Sequence, residues 1–305
     1  MSELLRFNVD IDDINQKNSE NVYKFISRGE DAYNEQIKDI ATQISTLGKK
    51  IILISGPSSA GKTTSSYKIK KELEEIGINS YVLNMDDFFR DLDTVPLRED
   101  GEPDMEGIVA LDVECVKSCL NDILTTGITK TPTFDFKTHK RTKVWNDCQV
   151  KPNEVIIMEG IHALNPQISE GLNADKIYKV YVHCNTDFVF QGKVVIKARE
   201  LRFLRRIVRD ERERHTPFEE TIELWNHVCD GEQKNIRPFK HTANFFLNTT
   251  HFYEPLLYKN LLLKEFEERK EIDMIKDFLE KFKLCSTVDE EFVPKDSLIR
   301  EFIGE

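Results

Sequence analysis

The 305-residue sequence predicts an α/β protein centred on a mostly parallel five-stranded sheet flanked by helices. Three observations lead there. Ile51-Ile52-Leu53-Ile54-Ser55 is a continuous, β-branched apolar run, the pattern of a strand buried on both faces. A glycine-bounded loop and an amphipathic helix follow it directly. Further short apolar runs recur along the chain with helical stretches between them, as βαβ units require.

The elements follow in chain order. Residues 1–49 read as an N-terminal helical extension, with Ile37, Ile40 and Ile44 at helical spacing inside a helix over Ala32–Leu47. After the first strand, Ile69, Leu73 and Ile76 recur at i, i+4 and i+7 and mark a helix that ends at Gly77. Ser80–Asn84, Val155–Met158 and Ile177–His183 read as the second, third and fourth strands, and Asn244–Asn248, more weakly patterned, as the fifth. Leu261, Leu262, Phe266, Ile275, Phe278 and Leu279 place helices in residues 261–305, a C-terminal helical extension. There is no internal repeat and no low-complexity linker.

Composition narrows the function classes. With 39% hydrophobic and 32% charged residues the chain is globular, and no apolar run approaches the roughly 20 residues that span a bilayer. The N-terminus turns acidic by Asp10-Ile11-Asp12-Asp13, without the basic and apolar regions of a secretory signal. A net charge of -11 argues against nonspecific binding to nucleic acid or anionic membranes. The six cysteines form no CxxC pair, so reduced thiols in a cytoplasmic protein are expected.

Gly56-Pro57-Ser58-Ser59-Ala60-Gly61-Lys62-Thr63 matches GxxxxGK[ST], with Thr64 next, between the apolar strand and the amphipathic helix. Successive backbone N–H groups of such a loop wrap phosphate oxygens, and the helix N-terminus adds its positive dipole end. Lys62 would neutralise the β- and γ-phosphates of ATP, and the Thr63 hydroxyl would ligate Mg²⁺. The fold expectation is therefore the P-loop NTPase fold.

Asp86-Asp87 follows the second strand and Glu159 ends the third, at the carboxyl ends where parallel sheets bind ligands. Asp86 is the candidate base for an attacking hydroxyl, and Glu159 the candidate Mg²⁺ acid. A helix cap or a solvated turn is the alternative for Asp86. Leu201–Asp210 has an apolar face of Leu201, Leu204 and Val208, and an arginine face of Arg202, Arg205 and Arg209. Fixed guanidinium donors suit a transferring phosphoryl under a closing lid. The alternative is a solvated helix with internal ion pairs.

In this order, the strand and phosphate loop, Leu83–Arg90, Glu102–Glu106 with Leu111-Asp112, Phe134–Arg141, Ile156–Leu164 and the arginine helix resemble the uridine kinase/phosphoribulokinase family. Among its members the bacterial-type uridine kinase-like nucleoside kinases are most similar. The resemblance implies a kinase domain over residues 50–260, a lid at about 186–240 and a small substrate-binding hairpin. It implies ATP-dependent phosphorylation of a nucleoside 5′-hydroxyl, uridine or cytidine foremost, with Asp86 as base, Lys62, Arg202 and Arg205 at the transferring group, and Arg209 on the nucleotide. Glu106 would hold the ribose hydroxyls, with nearby Asp104 as the alternative, Phe136 would stack on the pyrimidine, His139 would bond its edge, and Arg141 would touch substrate. A homo-oligomer is compatible with the family. Phe89 and Phe134 stand where many uridine kinases have tyrosine, Glu106 stands where aspartate is common, and Asp187–Glu200 is longer than in simple uridine kinases. The alternatives are phosphorylation of another small alcohol, a sugar phosphate or a pantothenate-like compound, and a nucleotide-binding regulatory protein without turnover.

Overall fold

The computed structural model describes residues 6–99, 101–266, 269 and 272–304. Its main sheet holds five strands, β2 (Ile51–Ser55), β3 (Ser80–Asn84), β6 (Val155–Glu159), β7 (Ile177–His183) and β10 (Phe245–Asn248). They lie in the order β10-β7-β2-β6-β3, with every neighbouring pair parallel. These are the five strands read from the sequence. Every residue of β2 and β6 is buried, because both faces of the sheet are covered.

Side-chain alternation along β2 divides the two faces. Ile52 and Ile54 join a cluster with α2 (Val22–Thr46), α3 (Lys62–Glu75), α6 (Ala198–Arg212), α8 (Glu254–Glu265) and α9 (Asp273–Phe282). Ile51 and Leu53 join the opposite cluster, with α4 (Val113–Thr125) and the short α5 (Pro166–Ser169). The antiparallel hairpin of β4 (Ile128–Asp135) and β5 (Lys140–Gln149) packs on this second side.

The amino end differs from the expectation of helices alone. Phe7–Asp10 forms a strand, β1, before α1 (Ile11–Glu20). It pairs in parallel with β8 (Thr186–Phe190), which turns back antiparallel into β9 (Lys193–Ile196), making a second, three-stranded sheet. A four-residue strand whose partner begins only at Thr186 carries no local periodicity to read. The helix expected at Ala32–Leu47 begins at Val22 instead, since Asn21 caps it and Phe25, Ile26 and Tyr33 continue its buried stripe.

Both ends of the chain pack on the sheet's first face. Leu298, Ile299 and Phe302, flanking and within α10 (Arg300–Ile303), share one cluster with α2 and β2. A buried polar knot fastens them. The Glu30 carboxylate of α2 accepts from Tyr253 Oη and Ser297 Oγ, both at 2.6 Å, and His251 Nε2 lies 3.5 Å away. Burial pushes the Glu30 carboxyl upward, but the hydrogen bond and charge of His251, with Ser297 and Tyr253, outweigh it and hold the pKa at about 2.

Candidate active site

The site begins at the carboxyl end of β2. From β2 the chain leaves toward β3, and from its neighbour β7 toward β10, so the crevice between them is where an open parallel sheet binds ligands. A Cβ on Gly56 would stand 2.1 Å from the Val182 carbonyl oxygen of β7, which only glycine avoids. Gly61, at φ 86°, turns the loop into the N-terminus of α3. Lys62 folds its ammonium back to the Pro57 carbonyl at 3.3 Å, over the loop.

The Thr63 hydroxyl donates to Glu159 Oε1 at 3.1 Å. Two oxygens in neighbouring positions of a Mg²⁺ octahedron, each about 2.1 Å from the metal, stand about 3 Å apart. The pair therefore fits as a Mg²⁺ half-site. Burial raises the Glu159 carboxyl, and the Lys62 ammonium opposes that rise.

Asp86 and Asp87 sit in a 3₁₀ turn, Met85–Phe88, capped by the Asn84 side chain. Asp87 accepts from the Phe134 N–H at 3.4 Å and so ties the turn to the hairpin. Among the described residues, no hydrogen bond reaches the Asp86 carboxylate. Burial raises its pKa, Lys62 lowers it, and Asp87 raises it again. Glu106 shows the same balance: burial pushes it up, while Arg206 and Lys62 pull it down. Asp86, Glu106 and Glu159 thus share the field of one ammonium, so Lys62 links the phosphate loop to all three carboxylates.

Glu106 is held by the segment in which a lid is expected, about residues 186–240. That segment includes α6, α7 (Phe218–Gly231) and a widened π-helical turn, Glu232–Ile236. Asn235 Nδ2 donates to the Glu106 carbonyl at 2.7 Å, and a Cβ on Gly231 would stand 2.9 Å from Glu106 Cβ. Asp104 lies folded against Gly107, whose added Cβ would come 2.2 Å from Asp104 Oδ2.

The arginine helix departs from the expected arrangement. Arg205 is fully buried: Nε and Nη2 each donate to Glu254 at 2.7 Å, Nη2 also reaches the Thr249 carbonyl at 2.7 Å, and the guanidinium stacks on Phe302. Arg202 pairs with Glu232 over the Trp225 ring, and Arg209 pairs with Asp210. Among the described residues, the arginine hydrogen-bonded to the phosphate loop is Arg206, whose Nη1 donates to Ser58 Oγ at 3.0 Å while its Nε lies 3.2 Å from Asp210. One residue turns a helix by about 100°, so Arg205 and Arg206 fall on opposite sides of the line through Arg202 and Arg209. Which side meets the loop depends on where Glu254 sits, and spacing does not encode that.

The hairpin shows a similar division. Phe89, Phe134 and Phe136 form an edge-to-face aromatic wall, with ring centroids 5.8 and 5.2 Å apart. Phe136 is half-exposed at its outer end. His139 lies exposed in the tip turn at φ 51°, where its carbonyl accepts from the Leu92 N–H. Arg141 donates to Asp112 at 3.0 Å and to the carbonyls of Phe88 and Phe89, so its guanidinium clips the hairpin to the Asp86 turn. Beside Pro57 a cavity of about 600 Å³ opens, bordered by Arg6, Lys197, Arg199, Arg202, Arg237 and Lys240 with Glu232 as its acid. His183 lines it, and burial with the nearby Lys240 and Arg6 cations pushes its imidazole down to about 4.

A family model described as the phosphoribulokinase/uridine kinase family matches residues 51–251. The uridine kinase of Macrococcus caseolyticus is 30% identical over 207 residues, covering 68% of this chain and 86% of its own. That of Staphylococcus aureus is 31% identical over 198 residues, covering 65% and 86%. A structure described as a possible uridine kinase from Bacillus stearothermophilus aligns with a TM-score of 0.47 at 17% identity, over 70% of this chain and 98% of that one.

Proposed function

We propose a function from one premise: the chain belongs to the phosphoribulokinase/uridine kinase family. It is a small-molecule kinase, and the acceptor we assign is a nucleoside 5′-hydroxyl, with uridine or cytidine converted to the monophosphate. The observation that carries this reading is Asp86, a half-buried carboxylate without a hydrogen-bond partner among the described residues, in the field of the phosphate-loop lysine. An acid placed so is suited to receive a proton.

The acceptor hydroxyl attacks the terminal phosphorus of ATP. The bond from that phosphorus to the β-bridging oxygen breaks, ADP leaves, and Asp86 takes the hydroxyl proton. Backbone N–H groups of residues 56–64, proline at 57 excepted, hold the polyphosphate, and Lys62 and Arg206 counter its charge. Thr63 and Glu159 would hold Mg²⁺, which supplies charge neutralisation at the β- and γ-phosphates. Glu106 binds the acceptor's paired hydroxyls, and the Phe89–Phe134–Phe136 wall receives its flat face. A second reading, another small hydroxyl compound, is favoured by the same wall: Phe89 and Phe134 are buried and offer no phenol to a base.

The test is ADP release with Mg-ATP across uridine, cytidine, purine nucleosides and non-nucleoside alcohols, with Asp86→Asn as control. Turnover on a pyrimidine nucleoside that falls at least about 100-fold in the variant supports the assignment. Turnover confined to another alcohol removes the nucleoside from it, and with the nucleoside go the hydroxyl-binding role of Glu106 and the stacking role of Phe136.

A further inference from the structure

The N–H groups in the first turn of α3 are the donors that a nucleotide's phosphates need. One of them is already engaged. Glu301 of α10, through the single oxygen Oε2, accepts from the Thr64 N–H at 3.1 Å and from the Thr64 hydroxyl at 2.5 Å. Leu298 closes on the loop itself, since a Cβ on Gly61 would come 2.7 Å from its Cδ1. The segment is firmly seated. Leu298, Ile299 and Phe302 are fully buried, Ser297 reaches Glu30, and Arg212 donates to the Ile303 carbonyl.

A carboxylate on helix N-terminal donors is favourable by itself, for the reason a phosphate is: an anion meets the positive end of the helix dipole. Two anions cannot both take the Thr64 N–H and hydroxyl. We infer that Glu301 is a built-in competitor at the donor site, occupying a phosphate-oxygen position that the nucleotide must win from the C-terminal segment. This rests on the reading of residues 56–64 as the donor site. Glu301 then sets donor affinity. The protein binds ATP in the fraction of molecules whose residues 297–304 have released Thr64, and apparent affinity falls by that fraction. Anything that draws this segment off the loop raises donor affinity without touching the acceptor side.

Two measurements on the full chain test this, both without acceptor. Calorimetric titration with Mg-ATP compares the unaltered protein with Glu301→Gln, which keeps the shape and removes the charge. Exchanging a charged acceptor for a neutral one weakens the competitor, and Mg-ATP is expected to bind about fivefold to tenfold more tightly. Hydrogen exchange on the unaltered chain needs no variant. Saturating Mg-ATP should speed exchange at the amides of Glu301, Phe302, Ile303 and Gly304, which are hydrogen-bonded within the segment. If Glu301→Gln does not fold, Glu301→Asp, which draws the carboxylate back by one methylene, takes its place with the same expectation. Unchanged or weaker Mg-ATP binding by a folded variant overturns the inference. So does full protection of these amides in the nucleotide-saturated protein. A protein that binds no Mg-ATP with or without the substitution loses the donor-site reading as well. Failure of the nucleoside assignment leaves both measurements intact.

Discussion

Replacing Arg205 separates a structural arginine from a catalytic one. The pair of Arg205 and Glu254 has no exposed side-chain surface, and Arg205 also satisfies the Thr249 carbonyl. Arg205→Met leaves the Glu254 carboxylate buried with only the His251 N–H, 2.7 Å away, as a remaining donor among the described residues. Breaking a buried pair on one side costs about 3–5 kcal/mol. At about 2 °C per kcal/mol for a chain of this size, the melting temperature should fall by roughly 6–10 °C. Adding Glu254→Leu removes the stranded charge and should restore about half of that loss or more, because an apolar pair of similar volume is often as stable as the ion pair. The assay is thermal unfolding by circular dichroism, alongside ADP release at a temperature where every variant is folded. The expected result is lowered stability with turnover per folded molecule within a few-fold of the parent. A variant with unchanged melting temperature and a hundredfold loss of kcat would instead place Arg205 at the transferring phosphoryl.

Three further outcomes follow from the geometry. Gly231→Ala places a methyl 2.9 Å from Glu106 Cβ, so KM for the acceptor should rise about tenfold while Mg-ATP binding, measured separately, stays constant. Burial raises the Asp86 carboxyl above its ordinary 3.8, and the base is active deprotonated, so kcat/KM should fall as pH drops through that raised value. An acid limb at or below 3.8 would disprove Asp86 as the base. Glu30 has a folded pKa of about 2 against an ordinary 4.5, so its stabilising effect is complete above 4.5 and disappears as pH falls toward 2. Urea midpoints at pH 7, 4 and 3 should therefore drop more steeply for the parent than for Glu30→Gln, and parallel curves would contradict the knot at Glu30.

The candidate site was legible where one short segment contains its own physics. The loop from Gly56 to Thr64 announces itself because glycines, a lysine and a hydroxyl must be consecutive to wrap a phosphate. Asp86 and Glu159 were readable because Glu159 ends a strand and Asp86 follows one by two residues, and the apolar run of each strand is visible. Arg206 was not, since a row of arginines looks alike from every side until packing shows which of them reaches the loop. Asn235 and Gly231 meet Glu106 across about 125 residues of chain, and Glu301 meets Thr64 across 237, so no local spacing could have pointed to either.

The five core strands, the loop from Gly56 to Thr64 and the acids at or just past the strand ends are all written in short stretches of sequence. Apolar periodicity and backbone chemistry act over a few residues and leave their mark in order along the chain. Which charges are paired inside the fold and which lie beside the loop depends on packing between distant segments. Burial makes an unpaired ion costly, so Glu254 takes Arg205, Glu232 takes Arg202, and Asp210 holds both Arg209 and Arg206, the latter also reaching the Ser58 hydroxyl of the loop. The same packing of both chain ends on one face of the sheet carries the Glu301 carboxylate to the helix end that a phosphate needs.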